Sequence, residues 1–70
     1  MTREEYVRCC KERALALLGD GRMREAVASM MSDMLKHPDC GVPYEVNAIG
    51  ILAVAAGDLA LVRAYIEGFN

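Results

Sequence analysis

The sequence predicts a single all-α domain over residues 1–70, with four short helices paired as two antiparallel hairpins. Three observations predict this fold. Apolar residues recur at three- and four-residue steps, as in amphipathic helices. Gly19, Gly21 and Gly57 mark tight turns, and Pro38 and Pro43 enclose a loop between the hairpins. We predict a compact bundle with helices at about 3–18, 22–37, 44–56 and 58–67.

The first two helices have the clearest patterns. Thr2 followed by Glu5 has the spacing of a capping box. The predicted buried stripe of the first helix comprises Tyr6, Val7, Cys10, Ala14, Leu17 and Leu18. That of the second comprises Met23, Val27, Met30 and Met34, widened by Ala26, Met31 and Leu35. A glycine in the 19–21 turn is expected to supply the left-handed residue after the first helix.

The third helix differs because residues 46–56 carry no charge. We predict that it packs on most of its surface, with small residues that permit close helix approach. Its β-branched residues make a strand the competing interpretation, but a run of 11 residues between helices favours a helix. The fourth helix is expected to present Leu59, Val62, Tyr65 and Ile66 to the core.

An internal repeat is a further interpretation of the same pattern. Residues 21–27, followed by Leu35 and Pro38, resemble the second helix of a tetratricopeptide repeat. Leu52, residues 57–59 and Val62 resemble the corresponding part of another repeat. The resemblance implies helix pairs stacked side by side, and it lacks the large aromatic residue of the first repeat helix. Any helical hairpin with a glycine turn gives a similar pattern.

Composition excludes several classes of protein. Apolar residues make up 54% of the chain and the net charge is −2, which excludes intrinsic disorder. The longest uncharged run, 46–57, is shorter than the roughly 20 residues that a membrane span needs. The basic residues are interleaved with acidic ones and only four residues are aromatic, so nucleic-acid binding is disfavoured. The charged N-terminus is unlike a signal peptide.

The cysteines and the single histidine raise the question of metal binding. Three cysteines, two of them adjacent, disfavour a disulfide framework and indicate a reducing compartment. Cys9, Cys10, His37 and Cys40 are the residue types of a zinc site. Adjacent cysteines on a helix diverge by about 100°, however, so both rarely face one metal. We therefore predict neither a metal nor a cofactor.

One polar set on the second helix resembles a catalytic triad in composition only. Ser29, Asp33 and His37 lie along one straight helix, whereas a nucleophile, its base and the orienting carboxylate must converge. We therefore predict no catalytic residues, and we interpret the set as part of a binding surface. The predicted surface comprises Ser29, Ser32, Asp33, Lys36, His37, Tyr44, Phe69 and Asn70.

The apolar residues are concentrated in the second and third helices, and four of the five methionines lie in the second. A 70-residue domain without disulfides commonly gains stability from a partner. We therefore expect a homo-oligomer, most simply a dimer. The expected oligomer or partner contacts are Met31, Ile51, Val54 and Tyr65.

Two segments also indicate a family. Residues 29–39 (SMMSDMLKHPD) and 65–70 (YIEGFN) resemble a family of short proteins encoded by tailed phages and prophages. Residues 2–5 and 10–14 resemble the same family, and residues 40–56 are the least similar. The resemblance implies a phage-encoded accessory protein that acts in the host bacterial cytoplasm, and it implies no particular chemistry.

These observations favour a non-enzymatic interaction module that binds a host or phage protein and modulates it, for example in counter-defence. The alternative is a protein that sequesters a signalling nucleotide between subunits. In that case Arg22, Arg24, Lys36, His37 and Tyr44 would have to converge around phosphates. A small enzyme or a metal-binding protein has less support.

Overall fold

A computed structural model describes residues 2–37 and 43–69. Over these ranges the chain forms four helices and no strand: α1 (Arg3–Gly19), α2 (Met23–Lys36), α3 (Tyr44–Ala56) and α4 (Leu59–Glu67). The all-α prediction is confirmed, and each predicted helix end lies within one residue of the observed one.

Local sequence explains where the helices begin and end. Thr2 and Glu5 form the predicted capping box, in which the Glu5 N–H donates to Thr2 Oγ1 at 3.2 Å. Asp58 caps α4 by accepting a hydrogen bond from the Leu61 N–H at 3.0 Å. The left-handed residues are Gly21, with φ +79°, and Gly57, with φ +67°, so both turns use a glycine as predicted.

The helices pack as two hairpins, α1 with α2 and α3 with α4. Helices α2 and α4 are the central elements because each contacts the other three, whereas α1 and α3 each contact only α2 and α4 within the described residues. The radius of gyration is 11.1 Å, which matches the roughly 11 Å expected of a compact 70-residue chain. The largest fully buried side chains are Met30, Ile66, Val62 and Cys10.

Three expectations about burial are wrong. Leu35 is 72% exposed and Leu59 is 50% exposed, because each lies at the edge of its helix stripe. Helix α3 does not pack on most of its surface: only Gly50 and Ala53 are buried. The physical reason is its position at the edge of the bundle, where neighbouring helices cover one side only.

The covered side of α3 depends on one glycine. A Cβ atom at Gly50 would lie 2.9 Å from Cζ of Tyr65, so a larger residue would collide with that ring. The Tyr65 hydroxyl donates to Oδ1 of Asn47 at 2.9 Å. This hydrogen bond is a second contact between α4 and α3, beside that of the Tyr65 ring with Gly50. The predicted use of small residues for close helix approach is confirmed at this position.

None of the described helices combines the length and the apolar character that crossing a membrane requires.

Candidate functional site

Asp33 is the centre of a polar junction between α1 and α2. Its side chain is buried, and Oδ2 accepts a hydrogen bond from Nη1 of Arg13 at 2.8 Å. Nζ of Lys36 lies 3.8 Å from Oδ1 of the same carboxylate. The backbone carbonyl of Asp33 also accepts a hydrogen bond from the Tyr6 hydroxyl. Asp33 therefore joins the two helices through both its backbone and its side chain.

The three residues that resemble a catalytic triad in composition are held by separate contacts. His37 follows α2, and its ring lies beside that of Tyr6, with the ring centroids 5.0 Å apart and the planes tilted by 36°. The Ser29 hydroxyl makes no hydrogen bond within the described residues. The Asp33 carboxylate is paired with Arg13 and Lys36. These contacts of Asp33 connect α1 to α2.

The two adjacent cysteines face different environments, as predicted. Cys9 is exposed and Cys10 is buried. Burial raises the pKa of the Cys10 thiol above its usual value. The nearby negative charge of Asp33 raises it further and is the second-largest cause. No three His, Cys, Asp or Glu side chains among residues 2–37 and 43–69 are placed to hold a metal ion. Cys40, which belongs to the zinc interpretation, lies outside the described residues.

The predicted polar binding surface needs correction. Ser32, Lys36 and Tyr44 are exposed, and Ser29 and His37 are half-buried. Asp33 and Phe69 are buried: Asp33 by its junction with α1, and Phe69 by packing edge-on against Tyr65, with ring centroids 5.2 Å apart. Asn70 lies outside the described residues. As a set, these residues therefore do not form one accessible surface.

The basic residues named for nucleotide binding lie at opposite ends of α2. Arg22 and Arg24 are at its start and Lys36 is at its end. Twelve residues separate Arg24 from Lys36, which is about 18 Å along a helix. Arg22 pairs with Glu25, and Lys36 lies beside Asp33. A single chain therefore does not gather these cations around one phosphate group.

Three of the four residues predicted for oligomer contact lie together in the structure. Met31, Ile51 and Val54 line one open groove of about 380 Å³ between α2 and α3, together with Arg24, Val27, Ala28 and Ala55. Tyr65, the fourth residue of that set, is buried between α3 and α4 and does not reach the groove. Apart from Arg24, the groove is lined by apolar residues.

Helix periodicity extends this groove into a larger apolar face. Ala28, Met31 and Leu35 continue from Arg24 along one side of α2, and Tyr44, Ala48, Ile51 and Ala55 follow the same spacing on α3. Leu52 adjoins them and is 66% exposed. We call these nine residues the α2–α3 face: Arg24, Ala28, Met31, Leu35, Tyr44, Ala48, Ile51, Leu52 and Ala55. Contiguous apolar surface of this kind marks interaction sites in soluble proteins.

Sequence reasoning missed several members of this face. Leu35 was assigned to the core, and Leu52 was assigned to a helix buried on most sides. The available signal was the repeated four-three-four spacing, which places Arg24 to Leu35 on one side of α2 and Tyr44 to Ala55 on one side of α3. Tyr6 and Arg13, which complete the Asp33 junction, carry no comparable local signal.

Comparisons with protein-family models, with curated proteins and with solved structures found no match to this chain.

Proposed function

We propose that this protein is a non-enzymatic interaction module that acts by binding another protein through its α2–α3 face. The observation that supports the proposal best is the exposure of large apolar side chains on α3. Ile51 is 56% exposed and Leu52 is 66% exposed. Both belong to a helix whose only charged residue is Glu45. Covering such side chains with a protein surface releases water from apolar area, which is the main favourable term in association.

The kind of partner follows from the resemblance to phage-encoded proteins. On that basis the target is a protein of the bacterial host or of the phage, the site of action is the host cytoplasm, and the effect is to modulate the target, for example in counter-defence. This assignment depends on residues 29–39 and 65–70, which carry the resemblance.

Site-specific photocrosslinking in bacterial cells tests the proposal. A photoreactive phenylalanine analogue replaces Leu52, and in a matched control it replaces Leu59. Leu59 is a similarly exposed leucine, and it lies on the side of α4 opposite to Leu61 and Tyr65, which face α3. We expect a defined protein adduct from position 52 and not from position 59.

The adduct must then be identified by mass spectrometry and reconstituted from purified components, with a measured change in the target's activity. Equal crosslinking from positions 52 and 59, or none from either, would overturn the assignment of the α2–α3 face as the binding surface.

A further inference from the structure

We infer that the partner lays an apolar helix into the groove between α2 and α3 and presents a carboxylate to Arg24. This inference rests on the proposed function, because it requires the α2–α3 face to bind a protein. It adds the chemical character of the partner, which is a helix with a stripe of apolar side chains and an Asp or Glu on the same side.

The charge of this groove comes from one residue. Arg24 is the only charged residue among the described residues that line it. The Arg24 side chain is exposed and makes no ion pair or hydrogen bond within residues 2–37 and 43–69. Arg22, by contrast, is paired with Glu25. The positive charge of Arg24 is therefore open to a partner.

Covering the groove has a cost at Arg24. A partner that fills the groove takes water away from the guanidinium group that lines it. Removing water from a charged group without replacing its hydrogen bonds is unfavourable. A carboxylate offsets this cost, because it pairs with a guanidinium group through two charge-assisted hydrogen bonds. The groove therefore favours partners with a carboxylate at this position over wholly apolar ones.

A second apolar groove, between α3 and α4, lacks this requirement. Its volume is about 340 Å³, and no charged residue is found among the described residues that line it: Val46, Ile49, Leu61, Ala64, Tyr65, Gly68 and Phe69. A wholly apolar segment can fill that groove without leaving a charge unpaired. Selection for an acidic partner is thus a property of the groove that contains Arg24.

The position of the groove between two helices fits a third helix. An amphipathic helix in such a groove places apolar side chains in it at three- and four-residue steps. Arg24 and Met31 lie on one side of α2 and both line the groove. They are two helical turns apart, which is about 11 Å along the axis. A partner helix aligned with α2 should therefore have its carboxylate about seven positions from the residue that packs on Met31.

Charge reversal at Arg24 tests the inference on the target that photocrosslinking from position 52 identifies. Fluorescence anisotropy with purified target gives the dissociation constant. Arg24→Glu should raise it about ten-fold or more, mainly through faster dissociation. The matched control is Arg8→Glu, which should stay within about three-fold of the wild-type value. Arg8 is also exposed and without an ion pair or hydrogen bond within the described residues, and it lies on α1, outside this groove.

The target provides the second half of the test. Mass spectrometry of the adduct identifies the crosslinked segment, in which each Asp and Glu is replaced in turn by Lys. One of these substitutions should weaken binding to the wild-type chain and restore binding to Arg24→Glu, to within about three-fold of the original pair. Circular dichroism checks that the helices of Arg24→Glu are intact. If they are not, Arg24→Gln provides the value, with an expected increase of about three-fold or more.

Three results would overturn the inference. They are equal effects of the reversals at positions 24 and 8, no acidic residue of the target that compensates, and an adduct that joins only two copies of this chain. A target adduct from position 52 and not from position 59, combined with either of the first two results, would leave the proposed function standing. No adduct from position 52 would refute both.

Discussion

The α1–α2 hairpin and helix α3 use apolar residues in opposite ways. Helix α1 is rich in charged residues, yet it buries Val7, Cys10, Ala14 and Leu18 along one side. Helix α3 has a single charged residue, yet it buries only Gly50 and Ala53. Both helices contact α2 and α4, and the difference is how extensively they pack: α1 packs along its length on α2, whereas α3 is covered on one side only. Apolar content therefore indicates what a helix can bury, and the packing of the chain decides how much of it is covered.

The largest difference in the free energy of unfolding should be between alanine substitutions of two isoleucines. Ile66 is fully buried in α4, and Ile51 is exposed on α3. Ile66→Ala should lower the free energy of unfolding by about 2–5 kcal/mol through lost burial and a residual cavity. Ile51→Ala should change the stability of the monomer by less than about 0.5 kcal/mol. Urea unfolding at low protein concentration measures both.

If Ile66→Ala is already unfolded in buffer, Ile66→Val provides the value, with an expected loss of about 1 kcal/mol. Equal losses at positions 66 and 51 would show that α3 is covered in the monomer, contrary to the packing described above.

The next largest difference in stability should be between alanine substitutions of two glycines. Gly50→Ala places a methyl group 2.9 Å from the Tyr65 ring, and the resulting overpacking should cost about 1–3 kcal/mol. Gly19→Ala is the matched control, because nothing lies within 4 Å of its added methyl group and the residue is helical. It should be neutral or stabilising by up to about 1 kcal/mol. Thermal unfolding of the two variants gives the comparison, and a neutral Gly50→Ala would disprove the close contact with Tyr65.

The contact between α3 and α4 should also depend on pH. Burial raises the pKa of Tyr65 from 10.0 to about 12. The unfolded chain therefore loses this proton at a lower pH than the folded chain. Stability from this group is complete below pH 10 and declines between pH 10 and 12, by on the order of 1–2 kcal/mol.

Tyr65→Phe is the control for this pH dependence. It removes the titrating hydroxyl and the hydrogen bond to Asn47. The variant should start less stable and lose less stability than the wild-type chain between pH 10 and 12, as measured by urea unfolding at each pH. An equal decline in both proteins would assign the effect to other groups.

The smallest expected effect concerns the polar junction of α1 and α2. Arg13 is 61% exposed although its partner Asp33 is buried, so solvent screens much of their attraction. A double-mutant cycle with Arg13→Ala and Asp33→Asn should give a coupling energy of about 0.5–1 kcal/mol that decreases with added salt. A coupling of zero would mean that the Tyr6 hydrogen bond to the Asp33 carbonyl holds this junction without help from the ion pair.

The sequence was sufficient to predict the helices and their pairing as two hairpins, and insufficient to predict which sides of the helices are covered. Glycines, prolines and the capping box at Thr2 are local signals, so the helix ends were predicted within one residue. The junction of Tyr6, Arg13 and Asp33 joins residues 20 and 27 positions apart, and nothing local specifies such pairs. The exposure of Leu35 and Leu52 depends on which sides of α2 and α3 the neighbouring helices cover, which the pattern of a single helix does not contain. Met31, Ile51 and Val54 were predicted as oligomer or partner contacts; all three line the groove between α2 and α3, and their role as contacts stays a prediction.

Light scattering on untagged protein tests most directly the expectation that two copies of this chain associate through the α2–α3 face. The chain has a mass of 7.7 kDa. The account predicts twice that mass for the wild-type chain and for Leu59→Asp, and the monomer mass for Leu52→Asp. Both variants introduce one charge at a similarly exposed leucine, and only Leu52 belongs to the face. A wild-type chain that stays at 7.7 kDa as its concentration rises, or equal masses for the two variants, would contradict the account.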